Sequence, residues 1–401
     1  MEQQALLKNG GDLIYLAGCA LRKETPDARL VEAMDLDAVY ALARKHSMGA
    51  VSAYAIESYR KANQSSPAAQ RPVVTDWVQE KLQSIRKNLL LDVEREKLLA
   101  HLEEMGCWYM PLKGVFLQEL YPRAGMRQMA DNDILIDPAF RIAVAEYMLE
   151  NGYEADHIGT YIHDAFLKKP VYNFEIHVAL IAKEQNSPRA DYYNQVKDKL
   201  IKDPENGYGY HFTDEDFYIY MTAHAAKHYE GGGNGIRSLM DTFVYLHFKG
   251  ETMDRQYIDR ELDILGLADH ERAIVRLADK LFASKEPLTE TEEALFLYHI
   301  SSGTYGKWSI HIDNNLKKLA GWNKEVTPWV KVKYSLHRLF PPVEFYRDYA
   351  PLAYRYKILI PFTAVYRIIS RAIFSAPRFW GEAMQTWKHK NGENHDRRSK
   401  K

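Results

Sequence analysis

Cysteine is nearly absent from this 401-residue chain, which holds only Cys19 and Cys107. Two cannot build a disulfide scaffold or a cysteine-ligated zinc site. Cys107 sits in an apolar run and is expected to be a buried, inert thiol. No run of 18 apolar residues occurs, so no membrane-spanning helix is expected. The opening stretch MEQQALLKNGGDLIYLAGCALRKE has an acid at position 2 and no basic start before an apolar stretch. No secretory signal is expected there. A cytoplasmic enzyme or regulator of bacterial type fits these absences.

Net charge is lacking too: 53 Lys+Arg stand against 54 Asp+Glu, a balance of −1. A dedicated DNA binder, which needs a basic excess, is not expected. The average conceals a division. From Pro351 onward there are 11 basic and 3 acidic residues, a net of +8, which leaves −9 for the first 350. Otherwise the composition is that of a globular protein, 46% apolar and 27% charged, long enough for about two to three domains.

Four regions follow from the pattern. Residues 1–105 read as helices. Asp35 stands at the N-terminus of one. A Ser65-Ser66-Pro67 break precedes a long helical pattern from about Thr75 to Met105, with Leu89, Leu90, Val93, Leu98, Leu99 and Leu102 on one side, and Gly106 placed to end it. Residues 106–182 alternate strand and helix. A strand Cys107–Leu112 leads to Lys113-Gly114 and a helix Val115–Leu120. A loop then precedes a second strand, Asp131–Ile136. A helix opened by Asp137-Pro138 runs to Glu150, and a third strand covers about Tyr172–Leu180. Residues 183–340 return to helices, one capped at Thr213 and carrying Phe217, Tyr220, Met221 and His224 inward. Phe340-Pro341-Pro342 opens a basic tail, 341–401.

The chemistry concentrates between Leu112 and Ile136 and at Asn173–Val178. Strand alternation puts Asp131 and Asp133 on one face, and Glu175 and His177 on one face of their own strand. If those strands are neighbours, three carboxylates converge. Like charges so close repel unless a cation lies among them. Mg²⁺ suits carboxylate oxygens and leaves room for phosphates, and two such ions can clamp an in-line phosphoryl displacement. Gly114, between strand and helix, would let backbone approach a phosphate. Lys113 and Arg127 would contact a triphosphate.

These residues resemble the polymerase-β-type nucleotidyltransferases, and most closely the bacterial family of uncharacterised nucleotidyltransferases. The matching positions are Leu112-Lys113-Gly114, Tyr121-Pro122, Arg127, Asp131-x-Asp133 and Glu175-x-His177, and more weakly His224, Lys227, His228, Arg237 and Asp241. The resemblance implies an α+β fold, a small mixed-sheet core flanked by N-terminal and C-terminal helical regions. It implies Mg²⁺- or Mn²⁺-dependent transfer of a nucleoside monophosphate from an NTP, ATP first among them, to an unknown acceptor. Asp131, Asp133 and Glu175 would be catalytic and metal-binding. The other matched residues, His177 included, would face nucleotide or acceptor. Two positions depart from the pattern. Asn132 replaces an apolar residue and needs a partner if buried; Val115 stands where better-known members carry Ser or Gly. These departures keep open a catalytically degenerate nucleotide-binding or interaction protein. An enzyme that modifies protein or tRNA is a further alternative.

Other features have plainer readings. His224 and His228 have a zinc-compatible spacing without the general-base Glu, so a hydrogen-bonded pair lining a cleft is favoured. Arg237 and Asp241, four apart, either pair with each other or face the nucleotide. Gly231–Gly235 matches neither phosphate-loop fingerprint and reads as a connection. In the tail, Arg367, Arg371 and Arg378 share a helical face beside Val365, Ile368, Ile369, Ala372 and Ile373. The expectation is a helix docked on the acidic body with its arginines at the rim. Peripheral attachment to the inner face of a membrane and binding to nucleic acid are the alternatives. Residues 389–401 are expected to be disordered.

Overall fold

The computed structural model describes residues 2–159, 162–181, 188–321, 324–374 and 376–388. The final stretch, 389–401, expected to be disordered, lies outside them, as does the side chain of Arg378. The chain forms two compact units. One is Met1–Ala226 with Gly235–Glu292, the other Lys227–Asn234 with Glu293–Lys401. Among the described residues no helix is long and apolar enough to cross a membrane.

In the first unit, helices Glu2–Arg22, Leu36–Lys45 and Gly49–Ala62 pack around Leu13, Leu16, Val39, Val51 and Ile56. Asp35 caps the second by accepting from the Ala38 N–H, as its position implies. Helix Pro72–Met105 has 34 residues, about 50 Å of continuous rod. Pro72 starts it, and Gly106, at φ 71°, ends it in the left-handed conformation that glycine adopts without strain.

That helix corrects one expectation. Leu89 and Val93 are 61% and 51% exposed, not inward. The buried stripe is Lys81, Ser84, Asn88, Leu91, Arg95, Leu98 and Leu102, spaced three or four apart. Its first half is polar, so an apolar pattern could not reveal it.

The sheet has five strands: β1 (Tyr109–Pro111), β2 (Asn132–Ile136), β3 (Glu154–His157), β4 (His163–Lys168) and β5 (Tyr172–His177). Their spatial order is β1-β2-β5-β4-β3; β2 and β5 run parallel and all other pairs antiparallel. The architecture is α+β, a mixed sheet among helices. The β3–β4 hairpin falls where no strand is expected from sequence, and the third strand stops at His177 instead of near Leu180. β3, Glu-Ala-Asp-His, is exposed throughout and carries no buried-face pattern to detect.

Alternation divides the sheet's two faces. Ile134, Ile136, Phe174 and Ile176 pack with Leu98, Leu102, Val144 and Met148. Met110, Leu112 and Leu135 pack on the other side with Phe217, Tyr218 and Tyr220 of helix Asp214–Gly231, which Thr213 caps through the Asp216 N–H. Asn132, on the first face and fully buried, gives its amide to Leu91 O at 2.9 Å and accepts from Arg95 Nη1 at 3.2 Å. Its polarity is therefore matched by the polar half of the long helix.

In the second unit, Ile312, Leu316, Val326 and Tyr334 form one small core, and Tyr346, Ala353 and Ala364 another. Here the tail reading is corrected. Arg367 faces inward, 4% exposed, while Val365, Ile369 and Ile373 face outward.

The Asn132–Arg95 pair generates a stability prediction. Asn132→Leu leaves Arg95 without that acceptor and should cost about 1–3 kcal/mol in denaturant unfolding. Adding Arg95→Met should recover most of the loss, because the two polar groups then leave together.

Candidate active site

The parallel pairing of β2 with β5 sets Asp133 opposite Glu175 and Leu135 opposite His177. Asp133, Glu175 and His177 share the face that carries Leu135. Asp131 immediately precedes β2. Ligand atoms of Asp131, Asp133 and Glu175 all lie within 4.8 Å of one another.

The three carboxylates are not equivalent. Burial, then Asp133 and Glu175, push the Asp131 carboxyl up to about 6, against the pull of Lys113 and Arg237. Burial raises Asp133 as well, but Lys113 and a hydrogen bond from His177 outweigh it and hold Asp133 well below the usual carboxylate range. The Lys113 ammonium lies 3.5 Å from Asp133 Oδ2 and donates to His224 Nε2 at 2.7 Å. Lys113 takes φ 28° and ψ −78°, a sparsely populated conformation between β1 and helix Gly114–Glu119. His177 Nε2 donates to Asp133 Oδ1 at 3.1 Å and sits 3.5 Å from Glu175 Oε2. Burial lowers the His177 pKa, but these two carboxylates outweigh it and raise it.

His163 was not legible as a site residue. On β4 it stands opposite His177, with Nε2 3.7 Å from Glu175 Oε2. Finding it required the β4–β5 register, which only the fold supplies. His163, Glu175 and His177 form a second group able to hold a metal, sharing Glu175 with the first. The donor sets fit cations of different character: three oxygens in one, two imidazoles and an oxygen in the other.

Arg127 is placed differently from a triphosphate contact. It is buried and pairs with Asp241 through Nε–Oδ1 at 3.0 Å and Nη2–Oδ2 at 3.2 Å. Tyr121 donates its hydroxyl to the same carboxylate at 2.6 Å. Asp241 is therefore engaged by Arg127, while Arg237 donates to Gln128 O at 3.0 Å. Gly114 has a packing reason for being glycine. A Cβ there would lie 2.5 Å from Met129 Cε and 3.1 Å from Arg127 Nη1. Val115 is buried, so its side chain belongs to the packing of that short helix. Lys227 and His228 belong to the second unit and are exposed.

The loop between Tyr121 and Asp131 aims the first carboxylate, and side chains from several helices peg its backbone. Tyr54 donates to Ala124 O at 2.7 Å, Ser84 to Gly125 O at 2.8 Å and Lys87 to Ala130 O at 3.0 Å. Asn88 donates to Arg127 O at 2.9 Å and accepts from the Met129 N–H at 3.1 Å.

The mixed sheet thus brings three carboxylates together where two parallel strands are neighbours. The chain belongs to the uncharacterised nucleotidyltransferase family, whose model matches residues 32–283. No curated protein and no solved structure matches it significantly.

Crowding at the carboxylates predicts an inverted mutational effect. A carboxyl whose folded pKa is raised stabilises the fold below its unfolded value, near 4, and loses that contribution as pH rises through about 6. In chelator-treated protein at pH 8, Asp131→Asn should therefore stabilise, by roughly 1–3 kcal/mol. At pH 4 the gain should vanish. Thermal melts at both pH values read the difference.

Proposed function

We propose that this chain transfers a nucleoside monophosphate from an NTP to an acceptor hydroxyl, with Mg²⁺, or Mn²⁺ in its place, held by Asp131, Asp133 and Glu175. The observation that carries this reading is the convergence of those three carboxylates across the β2–β5 pair, in a chain that belongs to the uncharacterised nucleotidyltransferase family. A bound divalent ion would neutralise phosphate charge and orient the reacting oxygens. The acceptor oxygen forms a bond to the α-phosphorus, the bond to the bridging oxygen breaks, and pyrophosphate leaves with the electron pair.

The chain's own residues divide the remaining work. Glu175 takes the acceptor proton. Lys113 brings a cation to the edge of the carboxylate cluster, and Arg237, close enough to pull on the Asp131 carboxyl, brings a second. Both suit a triphosphate. Arg127 acts indirectly, holding the loop that carries Asp131 against Asp241. Asn132 points to the opposite face and is satisfied there, so its departure from the family pattern leaves the ligand set untouched.

Purified protein given Mg²⁺, each NTP in turn and a panel of hydroxyl acceptors should release pyrophosphate. Asp131→Asn and Asp133→Asn should each lower that rate by roughly a thousandfold or more. Mg²⁺-dependent NTP binding by calorimetry with no pyrophosphate from any acceptor would replace this reading with a nucleotide-binding one.

A further inference from the structure

Helix Ile360–Phe374 is turned inside out for a water-soluble element. Its inward side carries Ala364 and Arg367. The Arg367 guanidinium donates from Nη2 to Arg338 O at 2.5 Å and Leu339 O at 2.8 Å, the last carbonyls of helix Pro328–Leu339, and lies over the Phe345 ring. A cation is well placed at a helix C-terminus. The outward side is apolar. Phe362, Val365, Tyr366, Ile369 and Ile373 follow helical spacing and are 53–72% exposed. Ile358, one turn earlier, is 79% exposed. A continuous stripe of five such side chains left in water marks a contact surface.

Charge identifies what covers it. Residues 351–388 contain six Lys or Arg and one acid, Glu382. Glu382 is already paired with Arg338 and accepts from the Tyr334 hydroxyl. The apolar stripe therefore lies in a segment of net positive charge, with exposed Lys357 beside it. A second copy of the same surface would meet its own charge across a two-fold axis. A helix of 15 residues spans about 22 Å, short of a bilayer's hydrocarbon core. It can lie on a membrane but not cross it. We infer that helix Ile360–Phe374 seats its apolar stripe in the surface of an anionic lipid bilayer, with the basic side chains around it at the phosphate level.

The full chain should co-sediment with equimolar phosphatidylglycerol–phosphatidylcholine vesicles and far more weakly with phosphatidylcholine alone. Phe362→Ser with Ile369→Ser should lower the partition coefficient at least tenfold. Lys357→Gln should lower it about fivefold, an effect that disappears at high salt. All three positions are on the surface, so far-UV dichroism and melting should match the parent. Pyrophosphate release in solution should also be unchanged, which separates this inference from the carboxylate site. Absence of binding to the anionic vesicles, equal binding to both compositions, or undiminished binding by the double-serine variant would each overturn it. So would a dimer of the parent, seen by light scattering, that the double-serine variant converts to monomer, since a second copy would then be the occupant.

Discussion

The constraint on which the first unit depends is a buried loop that must satisfy its own backbone. The Tyr121–Asp131 segment forms neither helix nor strand, yet Tyr121, Met126, Arg127 and Met129 are buried within it. Backbone N–H and C=O groups taken from water need partners, each orphan costing as much as a lost hydrogen bond. Here side chains of other elements supply them: Tyr54, Ser84, Lys87, Asn88 and Arg237 bond five consecutive or near-consecutive peptide groups. The Arg127–Asp241 pair, with Tyr121 on the same carboxylate, anchors the middle. Asp131 comes directly after this pegged segment, so its position follows in large part from contacts made to the loop backbone. The same demand explains the long helix. Its buried stripe gives Ser84 and Asn88 to the loop, Arg95 to Asn132 of the sheet, and Leu98 and Leu102 to the sheet's apolar face.

That division determines what the sequence made legible. Asp131, Asp133 and Glu175 could be grouped in advance because strand alternation is a local rule, and the one non-local assumption, that their strands are neighbours, holds. The N-cap at Asp35 and the glycine stop at Gly106 were equally local. The inward stripe of the long helix was not, because periodicity detects apolar faces and half of this face is Lys81, Ser84, Asn88 and Arg95. The β3–β4 hairpin was invisible for a related reason: β3 is wholly exposed, so nothing about it alternates. His163 became visible only through the register that sets it beside His177. Arg127 shows the remaining difficulty. A cation four positions before a carboxylate pair looks free for an anion until Asp241, more than a hundred positions away, claims it.

The tail fails the sequence reading in the opposite sense. Amphipathicity was legible there, but its direction was not. A helical wheel shows two faces and does not say which one meets protein. The assumption that apolar residues turn inward fails where one arginine has better use inside, closing the end of helix Pro328–Leu339. Once Arg367 is committed inward, the geometry of a single helix sends Phe362, Val365 and Ile369 outward. The near-zero net charge conceals this as well, since the basic segment and the acidic remainder cancel.

The carboxylate cluster shows how a neutral average and a demanding site coexist. Asp133 already has a cation, Lys113 at 3.5 Å, and a hydrogen-bond donor, His177 at 3.1 Å. Burial and the neighbouring carboxylates outweigh the pull of Lys113 and Arg237 on Asp131, and its proton affinity rises accordingly. The cluster could hold a divalent cation, and such an ion would relieve the crowding at Asp131 and compete with Lys113 for Asp133. Under the proposed nucleotidyl transfer, a lysine released from that carboxylate would turn its ammonium to the incoming triphosphate. Lys113 can take that part because its strained backbone fixes the base of the side chain while His224 holds its end 2.7 Å away. The strain and the buried repulsion have the same origin: both are tolerated where the fold keeps charge ready for a ligand that carries the opposite one.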